Sequence, residues 1–113
     1  TEAILTDANL KNAFLVGANI QKADLQRANL EGADMAGVKL RNAHLQNANL
    51  KKVDLRRADL EHADFSKANL SSANFTGAKM SGGLFIGADL TGSNMDSADT
   101  TDTQFKGAIG FKG

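Results

Sequence analysis

The side chains best suited to chemistry in this sequence are two histidines, 13 carboxylates and 13 lysines or arginines. There is no cysteine, so neither a disulfide framework nor a thiolate metal site is available. His44 stands 20 residues after Asp24 and 20 before Asp64. A fold that stacks that spacing would make a carboxylate–histidine–carboxylate column. Such a column can hold a metal or tune a proton transfer. The plainer reading, which the rest of the chain favours, is one more charge-balanced surface position. His62 has Lys22, Asn42 and Gly82 at the same spacing, none of them a catalytic partner. Lys51, Lys52, Arg56 and Arg57 form a basic belt that can meet phosphates or acidic partners. Asp54, Asp59 and Glu61 interleave with it, and the chain has no tyrosine or tryptophan to stack a base. Nucleic-acid binding is therefore not expected. Nucleophile elbow, phosphate-cradling glycine loop, metal-spaced His/Cys cluster and cofactor fingerprint are all missing. The expectation is a protein that is not an enzyme and uses no metal or cofactor.

These residues need elements to position them, and the elements are set by a repeat. Every fifth residue from Leu5 to Met95 is large and apolar, 19 in a row without a frame slip. Thr100 breaks the run, Phe105 restores it and Gly110 ends it. Two residues before each lies a small one, usually alanine, as in Ala3, Ala8 and Ala13; Val38, Val53, Gly83, Ser93 and Thr103 depart from this. Between small and large stands mostly Asp or Asn, as at Asn9, Asp24 and Asp59.

A period of five suits no straight element. Five steps of an α-helix rotate the side chain by about 140°, and five steps of a strand put it on the opposite face. The chain must turn once per repeat. Small and large residues, two apart, point the same way on a short extended piece, and the residue between them points out. The two residues after the large one make the turn. Gly17, Gly32, Gly37 and Gly77 fall on its second position, as do Asn12, Asn42 and Asn47. Both types tolerate positive φ. Proline is absent, which suits a backbone whose N–H groups pair between coils.

The run Ala-Asp/Asn-Leu-x-x, seen at Ala23-Asp24-Leu25, Ala28-Asn29-Leu30, Ala58-Asp59-Leu60 and Ala68-Asn69-Leu70, resembles the pentapeptide-repeat family. The resemblance implies an all-β fold: a right-handed quadrilateral β-helix with about 20 residues per coil. Over 113 residues that gives about five and a half coils in a rod roughly 27 Å long. One domain over 1–113 is expected, with the repeat decaying after residue 95. The same implied register stacks Leu5, Leu25, Leu45, Phe65, Phe85 and Phe105 in one inward ladder ending in three phenylalanines. Gly82-Gly83 then makes room for the Phe85 ring. Outward columns alternate in charge, as in Asn19, Lys39, Asp59, Lys79, Asp99, or Arg41 beside Glu61. Such pairing helps modestly.

Net charge is zero, so bulk charge announces no polyanionic partner. Residues 1–57 carry nine basic and six acidic groups, and 58–113 carry four and seven, a weak dipole. No apolar run approaches 18 residues, so no transmembrane helix is expected. Thr1 opens in repeat frame, compatible with a removed leader or a piece of a longer protein. Ile4, Phe14, Val16, Leu84, Ile86, Ile109 and Phe111 are large apolar residues at positions that should face out. They are candidate contact sites, together with the basic belt. The ends of a solenoid expose core and strand edges. Ile109 and Phe111 suggest a C-terminal closure, either a self-cap or a homodimer contact. The function expected is a structural scaffold for a protein partner. The alternatives are a type II topoisomerase (DNA gyrase) modulator acting by DNA mimicry, which the resemblance suggests, or a repeat arm of a larger protein. The balanced charge weighs against mimicry. Expected compartments are the bacterial cytoplasm, the periplasm, or a cyanobacterial or plant thylakoid lumen.

Overall fold

The structure is a computed structural model and describes residues 2–111. The chain bends after every large apolar residue. At each bend the next inward small residue donates its N–H to the carbonyl of the large one, as Ala8 to Leu5 at 3.0 Å and Ala28 to Leu25 at 3.0 Å. The second central residue has positive φ at every turn from Asp7 to Gly107, the pattern of a type II turn. Lys22, Arg27, Lys52, Arg57 and His62 adopt it as well as the glycines and asparagines. An L-residue held there costs about 1–2 kcal/mol, so the bonds between coils override local preference. Gly17 isolates that cost, because nothing lies within 4 Å of where its Cβ would sit. Gly17→Ala is expected to lower unfolding free energy by about 1 kcal/mol in urea titration.

Stacking follows one register throughout. Parallel bridges join residues 20 apart, from Ile4↔Asp24 to Asp89↔Ile109. Each bridge is a single residue between turns, so the described chain is a ladder of bridges without extended strands. Three backbone bonds tie a pentad to its neighbours. Leu25 N–H donates to His44 O (2.7 Å), Arg27 N–H to Gln46 O (3.1 Å) and Asp24 N–H to Ala3 O (2.9 Å). The Cα envelope measures 31 × 19 × 19 Å, a rod of equal width in both short directions. Four faces result, centred on the columns that begin at Ile4 (first), Asn9 (second), Phe14 (third) and Asn19 (fourth).

The interior is dry and apolar. Leu25, Leu30, Met35, Leu40 and their stacked successors as far as Leu90 are fully buried, with alanines filling the space between them. Phe65 and Phe85 stack at 4.8 Å and 9°, and Phe85 and Phe105 at 5.6 Å and 23°, as the ladder predicts. Phe75 meets Phe85 edge-on at 5.9 Å and 81°. The Asp or Asn of each pentad does more than point outward. Its Oδ1 accepts the backbone N–H two residues on, as Asn9 from Lys11 (3.2 Å), Asn49 from Lys51 (3.1 Å) and Asp64 from Ser66 (2.9 Å). This Asx bond closes the corner and explains the residue preference.

The two ends differ. The coil continues past Met95, with turns at Ser97, Asp102 and Gly107 and bridges Lys79↔Asp99 and Leu84↔Gln104. Thr103 fills an inward slot because its hydroxyl donates to Met80 O at 2.8 Å. After Ile109 the chain leaves the frame. Gly110 takes φ +77°, and Phe111 turns inward to stack on Phe105 at 3.7 Å and 8°. The outward position expected for Phe111 is thus replaced by a place over the core end, since the ring finds apolar partners there. At the other end, Leu5, Leu10, Leu15 and Ile20 are only half-buried.

Candidate interaction surfaces

The corners present the charged groups, so their geometry decides what the basic belt can do. Lys51 and Lys52 stand at the corner between the second and third faces; Arg56 and Arg57 stand between the third and fourth. Asp54 lies between the two corners and captures Arg56, with Nε–Oδ1 at 2.9 Å and Nη2–Oδ2 at 2.8 Å. That hydrogen bond holds the Asp54 carboxyl below its ordinary value, against the opposing effect of partial burial. The belt of four cations is therefore divided, with a paired acid in its middle.

Other arginines are also engaged within the rod. Arg27 binds Asp7 across one coil, Nε–Oδ1 3.0 Å and Nη2–Oδ2 3.1 Å, which lowers the Asp7 pKa chiefly through that hydrogen bond. Arg41 reaches Asp59 at 3.2 Å and Glu61 at 2.7 Å. Exposed pairs of this kind contribute about 0–1 kcal/mol each. Among the described residues Lys11, Lys51, Lys52 and Lys67 make no ion pair.

His44 does fall between Asp24 and Asp64 in a bridge column. Their side chains are occupied elsewhere. Asp24 Oδ1 accepts the Gln26 N–H (3.1 Å), while Asp64 accepts the Ser66 N–H (2.9 Å) and the Gln46 amide (3.1 Å). Among the described residues no group of three His, Cys, Asp or Glu side chains is placed to hold a metal ion. The His62 ring lies over Gly82, in the space a Cβ there would need. Gly82 thus serves the histidine and Gly83 the phenylalanine, a division the sequence reading did not make.

The apolar candidates scatter over the rod. Ile4 and Phe14 are 82% exposed on opposite faces at the N-terminal end, with Val16 at the corner beside Phe14. Leu84 is half-buried on the first face and Ile86 more exposed at its corner; Ile109 is exposed on the second face. Among the described residues no large apolar side chain is exposed between Val16 and Ile86. A hollow of about 410 Å³ remains at the C-terminal end beside Phe111, lined by Met95, Ala98, Thr100 and Gly110 among others. No helix of the described residues is long and apolar enough to cross a membrane.

A square solenoid with an apolar interior and side-chain columns on flat faces is a repeat scaffold. The chain belongs to the pentapeptide-repeat family: the family model "Pentapeptide repeats" matches in 8 copies over residues 3–42, 43–82 and 73–109. No curated protein matches it in sequence. Among solved structures it is similar to the pentapeptide repeat protein Rfr23 of the cyanobacterium Cyanothece 51142. Identity is 33% and the TM-score 0.79, over 81% of this chain and 63% of that one. HetL of Nostoc sp. PCC 7120, a protein involved in heterocyst differentiation regulation, is 26% identical with a TM-score of 0.85, over 100% and 62% of the two chains. A thylakoid-lumen pentapeptide repeat protein of Arabidopsis thaliana is 34% identical with a TM-score of 0.59, over 88% and 66%. The chain thus spans about two thirds or less of the length of these relatives.

Proposed function

We propose that this chain is a non-enzymatic scaffold that holds a protein partner on its flat faces. In this reading it is a single right-handed β-helix of about five and a half coils over 1–113. The observation that carries it is the triple backbone tie of each pentad to its neighbours, which holds outward side chains in rigid columns. A preorganised surface loses little entropy on binding. Catalysis finds no support: among the described residues neither histidine side chain makes a hydrogen bond, and the column acids Asp24, Asp54, Asp59 and Asp64 are committed to corner N–H groups or arginines.

The involvement of HetL in a regulatory process supports a regulatory or assembly role of this kind. Topoisomerase modulation by DNA mimicry has no observation of its own here, because lysines interrupt the acids of the fourth face and net charge is zero. The expected partner is a protein. A homodimer would use the C-terminal hollow, but the stacking of Phe111 on Phe105 favours a self-cap there.

The test is affinity capture on the immobilised folded chain, with an acid-unfolded sample as control. A protein retained only by the folded chain, and insensitive to nuclease, is the expected result. No retained protein at any loading would sink the scaffold reading. A gyrase supercoiling assay is expected to show neither inhibition nor protection.

A further inference from the structure

The second face differs from the other three. Its central column reads Asn9, Asn29, Asn49 and Asn69, four neutral amides in successive coils, and turns acidic only at Asp89. The first, third and fourth faces carry Asp24 and Asp64, Asp34 and Asp54, and Asp59 and Asp99 in the corresponding places.

Each of the four asparagines has its oxygen committed. Oδ1 accepts the N–H of Lys11 (3.2 Å), Glu31 (3.1 Å), Lys51 (3.1 Å) and Ser71 (3.1 Å) in turn. A backbone N–H needs an acceptor, so the oxygen must face the corner and the NH₂ must face away from it. Among the described residues none of these Nδ2 groups donates a bond within the chain, nor is any left buried without a partner. The face is a row of free amide donors at the coil spacing of about 4.8 Å.

The flanking corners add charge. Lys11, Lys51 and Lys52 stand on one side, and Arg27 and Lys67 on the other, all exposed. The acids on the same corners are Asp7, already bound to Arg27, and Glu31. Over residues 7–72, five cations against two acids leave +3 on this side of a molecule whose total is zero.

We propose that the second face, over Asn9 to Ser72, is the docking surface for an acidic protein segment. Carboxylates of the partner would accept from the amide row and pair with Lys51, Lys52 and Lys67. Carboxylates are favoured over nucleic acid because the face has no aromatic ring for a base and its one arginine is already paired. The proposal rests on the scaffold reading and names the face and the partner chemistry within it.

The test uses the whole chain with fluorescein-labelled poly-L-glutamate at low ionic strength, read by anisotropy. Wild type is expected to bind, more weakly as salt rises. A triple variant, Lys51→Gln, Lys52→Asn and Lys67→Asn, should bind roughly tenfold more weakly. Asparagine tolerates the positive φ of Lys52 and Lys67, so the coil should keep its circular dichroism. A control, Lys39→Gln, Arg57→Asn and Lys79→Gln, removes the same charge from the fourth face and its corner. It should lose less than about twofold. Side-chain amide NMR signals of Asn29, Asn49 and Asn69 should shift on titration, and those of Asn74 and Asn94 on the third face should not. Should the triple variant unfold, these amide shifts in the wild type decide the matter. Equal losses in the two variants, no binding of poly-L-glutamate, or tighter binding of a DNA duplex would each overturn the assignment. If affinity capture finds a partner while poly-L-glutamate fails, the face is wrong and the scaffold reading survives.

Discussion

Replacing Phe85 with alanine should lower the unfolding free energy by about 3–5 kcal/mol, the range for a fully buried phenylalanine. Phe85 is the hub of the aromatic ladder, stacked between Phe65 and Phe105 and met edge-on by Phe75. It is fully buried. A chain of this length has a total stability of about 6–17 kcal/mol, so the loss is a large share of it. The cavity would form in a stack whose coils are pinned by backbone bonds on every side, which limits collapse around it. Phe85→Leu should cost much less, because leucine is the residue of Leu25 and Leu45 in the same column. Urea midpoints with unchanged slopes would measure both. A loss below about 1 kcal/mol for the alanine variant would contradict the ladder as a source of stability.

Gly83→Ala should also destabilise, by about 1–3 kcal/mol. The repeat alone predicts the reverse. Alanine is the usual residue of this slot, and replacing glycine normally stabilises by restricting the unfolded chain. In the folded rod a Cβ on Gly83 would approach the Phe85 ring to 3.2 Å and Met80 O to 3.0 Å. That oxygen already accepts the Thr103 hydroxyl at 2.8 Å. Neither neighbour has room to retreat, since the ring is held on three sides. The contact with Phe85 can be separated by a double-mutant cycle. With Phe85→Leu in place, Gly83→Ala should cost less by about 0.5–3 kcal/mol, the range for residues in contact. Strict additivity would place the whole penalty on the Met80 carbonyl.

The period of five dictates the coil and the inward leucines and alanines, and the absence of proline fits a backbone that pairs at every coil. Those features are legible because each pentad repeats one local decision, and a bend per pentad is the only way to keep Leu5 to Met95 on one side. The Phe65–Phe85–Phe105 ladder needs one thing more, the 20-residue coil that the family resemblance implies. Less was legible at the corners. Lys22, Arg27 and His62 adopt positive φ although their residue types argue against it, because the bonds between coils outweigh the local cost. The Asx bond of the Asp/Asn column is present in the pattern as a two-residue step, but the pattern alone distinguishes it from a merely outward side chain no further than that.

For the candidate surfaces the division is sharper. Sequence placed Lys51, Lys52, Arg56 and Arg57 together because they are close along the chain. The coil puts the third face between the pairs, and Asp54 on that face takes Arg56. It also gathers Lys11, Arg27 and Lys67 from other coils around the asparagine row. Phe111 belonged to an outward position by count, and Gly110 redirects it onto Phe105.

The sequence by itself determined that this chain turns once per pentad around one apolar interior, because that depends on residue type and period. Only the tertiary structure decided which cations stay free and which amides face solvent. It also decided how the C-terminal end closes. Each of those depends on neighbours 20 residues away in the chain and one coil away in space, and on hydrogen bonds that no single pentad contains.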